Sequence, residues 1–82
     1  MTEKDAAEVA VTLFSNVARV SKIEGEIWGA YDVSGALIAE IKSGRFNWIE
    51  VDYLNERNEI TTEMVYRDVS RGILSVGKEI LN

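Results

Sequence analysis

The sequence predicts an α+β domain in which two helices pack on one face of a three-stranded antiparallel meander, in two layers. Three observations lead to this fold class. Apolar residues recur at helical spacing near both ends, alternate with polar residues in the middle, and are separated there by glycine-containing turns. The composition does not change along the 82 residues, so we assign one domain to 1–82, with the order α-β-β-β-α.

The first segment, from Thr2 to about Lys22, has the pattern of an amphipathic helix. Thr2 and Asp5 have the spacing of a capping box that would start it, and Gly25 can end it. The apolar side of this helix would pack on the sheet. It consists of Ala6, Val9, Ala10, Leu13, Phe14, Val17 and Val20.

Residues 26–42 have the pattern of a β-hairpin. Asp32 and Gly35 suit a type I turn followed by a left-handed glycine, which predicts a three-residue loop. That register places alternate residues of both strands on one apolar face and leaves the other face mixed. The apolar face would hold Ile27, Gly29, Tyr31, Leu37, Ala39 and Ile41, and the mixed face Trp28, Ala30, Asp32, Ile38, Glu40 and Lys42.

A third strand is predicted from Phe46 to Leu54, after a turn at Ser43–Arg45. If this loop also has three residues, Ile49 lies opposite Ala39, and the apolar face continues across all three strands. The apolar face then gains Ile49, Val51 and Tyr53, and the mixed face gains Trp48, Glu50 and Asp52.

The last third of the chain allows two interpretations. A stripe of apolar residues at helical spacing predicts a helix from about Thr61 to Leu81. The alternative is a fourth strand, Ile60–Tyr66, joined through a turn at Asn55–Asn58 and followed by a shorter helix capped by Asp68. That alternative gives the order α-β-β-β-β-α.

The helix followed by a hairpin with an Asp-x-Ser-Gly turn, Ile27 through Ile41, resembles the opening of roadblock-type and other profilin-like domains. The similarity covers that unit alone, because the residues after it are too few for the further helix and strands of such domains. It identifies no family and implies no functional residue in this chain.

The composition argues against most catalytic chemistry. The chain has no His and no Cys, so it lacks the commonest general base, the thiol nucleophile and the usual zinc ligands. Its six glycines form neither of the familiar phosphate-binding motifs. Glu40, Glu50 and Asp52 lack the dense spacing of a calcium or magnesium loop. We therefore expect no enzyme activity, no catalytic residue, no cofactor and no metal site.

Charge and hydropathy limit the partners. Fourteen acidic against nine basic residues give a net charge of −5, which disfavours direct binding to nucleic acid. No apolar run approaches the roughly 20 residues of a membrane span, and the polar start Met1–Asp5 lacks the core of a secretory signal. The chain contains no cysteine that would suggest disulfide bonds and an oxidising compartment. We therefore expect a cytoplasmic protein with no membrane partner.

The mixed sheet face is the predicted contact surface, because the register sets Glu40 between Trp28 and Trp48. Tryptophan is a favoured anchor at interfaces. Leu74 and Leu81 lie away from the main stripe of the predicted second helix and would form a second patch. The candidate interface residues are Trp28, Ile38, Glu40, Trp48, Glu50, Leu74 and Leu81.

These observations favour a non-catalytic protein-interaction or accessory module whose protein partner is a second copy of itself, bound through a sheet face or a helix edge. The alternative is a small acidic inhibitor that occupies the basic site of a nucleic-acid-handling enzyme by charge mimicry. A third hypothesis is an enzyme that uses carboxylates alone, with Glu40 as its candidate, or a ligand-binding protein that uses the tryptophan pair.

Overall fold

The protein's computed structural model describes residues 1–44, 48–68 and 73–80, with side chains as far as residue 66. Within these ranges one helix, α1, covers Glu3–Leu13 and is followed by an antiparallel sheet in which each strand pairs with the next one in the chain. The α+β class is confirmed, whereas the three-stranded meander with two helices is wrong in its strand number and its second helix. The strands are β1 Arg19–Glu24, β2 Ile27–Tyr31, β3 Leu37–Ser43, β4 Trp48–Leu54, β5 Ile60–Asp68 and β6 Ile73–Ile80.

Helix α1 begins as predicted but ends earlier. The Thr2 backbone N–H donates to Asp5 Oδ2 at 2.9 Å, and the Asp5 N–H donates to Thr2 Oγ1 at 3.2 Å, so the capping box is confirmed. The helix stops at Leu13, and the prediction that it continues to about Lys22 is wrong.

The chain turns back after α1 instead of continuing the helix. Ser15 and Asn16 form a turn, and both residue types disfavour helix interiors because their side chains compete for backbone hydrogen bonds. The residues that follow form β1, where Val20 is half-buried and lies opposite Ala30 of β2. Gly25, at φ 46°, lies in the turn between β1 and β2 and not at a helix end.

The loop between β2 and β3 has the predicted conformation. The Asp32 N–H donates to the Ala36 carbonyl oxygen at 3.0 Å, and Gly35 has a φ of 89°. The Asp32 carboxylate accepts hydrogen bonds from the Ser34 hydroxyl at 2.6 Å and from the Ser34 and Ala36 amides at 2.9 and 3.1 Å. These bonds, that from the Ser34 hydroxyl above all, hold the pKa of Asp32 below its usual range. The three-residue loop is therefore confirmed.

Gly35→Ala should lower the free energy of unfolding by about 1–2 kcal/mol, because a Cβ disfavours this left-handed backbone conformation. Apart from its chain neighbours, no atom lies within 4 Å of the place that the new Cβ would take, so the loss is conformational and not steric. Gly35→Asn should lose less, since asparagine tolerates positive φ better than alanine. Urea denaturation checks the order, and an alanine variant as stable as the wild type would contradict the loop conformation.

A β-bulge in β3 overturns the predicted facing of β2. Tyr31 lies opposite Leu37, as predicted, but Ala30 lies opposite Ala39, so Ile38 is an extra residue in β3. Every later pair of this hairpin is shifted by one residue from the predicted register. A shift by one residue exchanges the two faces of a strand.

The bulge turns Trp28 and Ala30 toward α1. Trp28 lies opposite Ile41 and packs against the core, and Ala30 is fully buried. Gly29, which the sequence placed on the apolar face, instead lies opposite Glu40. This arrangement partly buries the large Trp28 ring against the core, where the predicted register would have placed a glycine.

β4 pairs with β3 in a register that differs from the predicted one by an even number of residues. Ala39 lies opposite Tyr53 and not opposite Ile49. An even shift keeps each side chain on its face, so Ile49 and Val51 remain in the core, as predicted.

The described residues of the C-terminal third form two strands. β5 confirms the fourth strand of the alternative order, and its turn is closed by a hydrogen bond of 3.0 Å from the Asn55 N–H to the Glu59 carbonyl oxygen. The predicted helix over residues 61–81 is wrong, and so is the shorter final helix, because Ile73–Ile80 forms β6 and pairs with β5. Thr61 and Thr62 are β-branched residues that favour strands, and Val65 is buried in the core.

The core lies between α1 and one face of the sheet. Phe14, which follows α1, also packs its ring edge-on against Tyr53 of β4, with the ring centroids 5.1 Å apart. The core cluster consists of Val9, Ala10, Ala30, Ala39, Ile41, Ile49, Val51 and Val65.

Candidate interaction surface

The sheet face opposite α1, which we call the open face, carries the side chains that alternate with the core residues. The only helix of the described ranges packs on the other face. Three zones follow one another along the strands of the open face: an apolar row, a charged centre and an aromatic pair.

The apolar row crosses β2 to β5 at the end of the strands that holds the β2–β3 and β4–β5 loops. Tyr31 lies opposite Leu37, and Leu54 lies opposite Ile60. Leu37, Leu54 and Ile60 are 50%, 59% and 79% exposed. Together with Ile38 they line an open pocket of about 270 Å³. The row is therefore a contiguous apolar surface in contact with water.

The charged centre surrounds the ammonium group of Lys42. Lys42 Nζ donates to Asp52 Oδ2 at 2.8 Å and lies 3.6 Å from Glu40 Oε2 and 3.9 Å from Glu50 Oε2. The Thr62 hydroxyl donates to the other Asp52 oxygen, Oδ1, at 2.7 Å. Both Asp52 oxygens thus accept a hydrogen bond, whereas the Glu40 and Glu50 carboxylates lie beyond hydrogen-bond distance of Lys42.

The two neighbouring acids of β4 have pKa shifts of opposite direction. The adjacent Asp52 carboxyl, and then burial, raise the pKa of Glu50. Burial works to raise the pKa of Asp52 as well, but the hydrogen bonds from Lys42 and Thr62 outweigh it and hold the pKa of Asp52 below its usual value. The hydrogen bond to Asp52 raises the pKa of Lys42, so this lysine stays charged.

The aromatic pair, Trp48 and Tyr66, stands at the other end of the open face. The two residues lie opposite each other in β4 and β5, with ring centroids 5.3 Å apart and an interplanar angle of 64°. Tyr66 is exposed and Trp48 is half-buried. Both rings thus present surface to solvent beside the charged centre.

The predicted constellation of two indoles around one carboxylate is wrong. Trp28 lies on the core face, where its Nε1 is buried without a hydrogen-bond partner and Lys22 Nζ lies 5.8 Å from the ring centroid. Glu40 lies opposite Asp52 and Gly29, and no tryptophan flanks it across the strands.

The other predicted interface residues are distributed as follows. Glu40, Trp48 and Glu50 lie on the open face, and Ile38, the bulge residue, touches the core cluster and lines the pocket. Leu74 lies in β6, where its backbone pairs with Arg67, so the helix patch to which it was assigned does not form. Leu81 lies outside the described residues.

Sequence reasoning missed the apolar row. Leu54 is the last residue of β4 and Ile60 is the first residue of β5. Two apolar residues on either side of a polar turn could have indicated an apolar cross-strand pair. Leu37 was assigned to the apolar core face, but the bulge places it on the open face opposite Tyr31.

Comparisons of the chain with protein-family models, with curated proteins and with solved structures give no match. Among the described residues, no group of three or more Asp and Glu side chains has the geometry to hold a metal ion. In the same part of the chain, the helix is neither long enough nor apolar enough to cross a membrane.

Proposed function

We propose that the chain is a non-catalytic protein-interaction domain that pairs with a second copy of itself through the open face. The observation that carries this proposal is the apolar row, in which Leu37, Leu54 and Ile60 are each at least half exposed. Apolar surface in water is unfavourable by roughly 25 cal/mol per Å². A contiguous apolar patch on a soluble domain is typical of an interaction site.

The open face is complementary to itself under a twofold rotation. The apolar row lies at one end of the strands, the aromatic pair at the other, and the charged centre between them. A twofold axis that lies in the interface between two stacked open faces, perpendicular to the strands and level with the charged centre, exchanges the two ends, so that the apolar row of each copy meets the aromatic pair of the other. Because the centre holds both signs of charge, Lys42 of one copy can meet a carboxylate of the other.

The open face gives the acidic-inhibitor hypothesis no support. Lys42 lies within 4 Å of all three carboxylates of the charged centre. A mimic of phosphate charge requires a more uniformly negative surface. Apolar contact also predicts that self-association persists when salt is added, whereas charge-driven binding weakens.

Leu54→Asp should weaken self-association at least about tenfold, because it places a charge in the centre of the apolar row where two copies would exclude water. Sedimentation equilibrium over a range of protein concentrations measures the dissociation constant of wild type and variant. The measurement is repeated at low and high salt.

Val33→Asp is the matched control for this experiment. Val33 is 94% exposed in the β2–β3 loop, outside the open face, and the substitution introduces the same charge. We expect its dissociation constant to equal that of the wild type. A wild type that stays monomeric at high concentration, or two variants that weaken association equally, would contradict the proposal.

A further inference from the structure

The pocket in the apolar row is, we infer, the receptor for the Trp48 side chain of a second copy, an assignment that rests on the proposed pairing. Trp48 and Leu54 stand at opposite ends of β4 on the same face, about 20 Å apart at about 3.4 Å per residue. A twofold axis in the interface plane, perpendicular to β4 and near its middle, exchanges the two positions. Trp48 of each copy then lies over the pocket of the other.

The pocket has the chemistry that an indole ring requires. Leu37, Leu54 and Ile60 give it apolar walls, and Glu40 and Asp52 also line it. Indole Nε1 is a donor only and needs an acceptor when it is buried. Because Lys42 is 3.6 Å from Glu40 Oε2, beyond hydrogen-bond distance, the Glu40 carboxylate can still accept from such a donor.

The same rotation is compatible with the charges between the two contact zones. It exchanges the row of Asp52 with the row of Lys42 and Glu50, which are neighbours along the strands. Lys42 of one copy therefore faces Glu40 of the other on β3, and Glu50 faces Asp52 on β4. Each of these two facing acids has Lys42 of its own chain within 4 Å, so a cation lies beside both carboxylates. The dimer has two equivalent pocket contacts, each made by Trp48 of one chain and the pocket of the other.

Mixing two variants tests whether pocket and indole face each other. A Trp48→Ala homodimer loses both indoles and a Leu54→Asp homodimer loses both pockets, so each variant alone should associate at least tenfold more weakly than the wild type. An equimolar mixture should associate severalfold more tightly than either variant alone. In the mixed pair the intact Trp48 of the Leu54→Asp chain meets the intact pocket of the Trp48→Ala chain.

Tryptophan emission provides a second measurement that needs no variant. Trp28 lies on the core face, so a concentration-dependent change is assigned to Trp48. We expect the wild-type emission to shift to shorter wavelength, and its quenching by acrylamide to fall, as the dimer forms. Circular dichroism melts show that the Trp48→Ala variant is folded before it is used in the mixture.

The outcomes separate this inference from the proposed function. A monomeric wild type overturns both. A wild type that dimerises while the mixture shows no recovery and the emission does not change overturns the inference alone, because the copies then meet in another arrangement. Recovery in the mixture together with the emission shift supports the contact between Trp48 and the pocket.

Discussion

Ala30→Glu should prevent cooperative folding, or lower the free energy of unfolding by at least about 3–5 kcal/mol, the loss that follows from an uncompensated buried charge. Ala30 is fully buried on the core face of β2, opposite Ala39. At roughly 0.05–0.15 kcal/mol per residue, a domain of this length has a total stability of only about 4–12 kcal/mol. Far-UV circular dichroism and urea denaturation measure the effect.

Ala18→Glu is the matched control, because Ala18 is exposed before β1 and the substitution is chemically the same. We expect its free energy of unfolding to stay within about 0.5 kcal/mol of the wild type. The comparison also tests the bulge at Ile38. Without the bulge Ala30 would lie on the mixed face, where a glutamate is tolerated, so a stable Ala30→Glu protein would contradict the register.

Local chemistry made the turns predictable. The side chain of Asp32 closes its own loop, and Gly35 supplies the backbone conformation that the loop needs. Thr2 and Asp5 likewise form the capping box from residues three apart in the chain. Such features depend on neighbours in sequence, so the sequence is enough to identify them.

The bulge at Ile38 depends on contacts across the sheet, and for that reason it was not predictable. No local feature of Ile38 requires an extra residue there. The extra residue is favoured because the shift in register moves Trp28 onto the face covered by α1 and places Gly29 beside Glu40. One such residue was enough to invert the predicted facing of β2.

The C-terminal strands show the same limit. Val65 belongs to an apolar pattern that fits a helical stripe, but it also fits the alternation of a strand. The pairing of β5 with β4 decides between the two, and it buries Val65 opposite Ile49. A short apolar pattern with β-branched residues fits a helix or a strand equally well, and only the pairing with a distant strand decides between them.

The candidate surface was predictable in part. Alternation along β4 correctly placed Trp48 and Glu50 on one face, because an even error in register leaves faces unchanged. Leu54 and Ile60 were missed because Leu54 precedes and Ile60 follows a polar turn. Single exposed apolar residues are common at protein surfaces and do not by themselves indicate a patch. Only their pairing across two strands turns them into a continuous patch.

Asp52→Asn should lower the free energy of unfolding by about 1.5–3 kcal/mol at neutral pH, the range for hydrogen bonds to a charged group. The substitution weakens the bond from Lys42 at 2.8 Å and leaves Lys42 with acids that lie 3.6 and 3.9 Å away. Urea denaturation at a protein concentration below that of self-association measures the loss.

Glu50→Gln, two residues away on the same strand and face, should act in the opposite direction. The pKa of Glu50 is raised by the neighbouring Asp52 carboxyl and by burial, so the fold disfavours the charged form of this side chain. Removing that charge should stabilise the protein at neutral pH by less than about 1 kcal/mol, because the side chain is partly exposed and solvent screens the repulsion.

The pH dependence of the free energy of unfolding distinguishes the Asp52 effect from the Glu50 effect. The pKa of Asp52 is lower in the folded chain than in the unfolded chain, so its contribution is present at neutral pH and is lost as the pH falls through the folded value. The Asp52→Asn deficit should therefore shrink in acid. The pKa of Glu50 is higher in the folded chain, so its penalty appears only as the pH rises through the folded value. The Glu50→Gln gain should disappear in acid, and two variants that change stability in the same direction at neutral pH would contradict the assigned charge arrangement around Lys42.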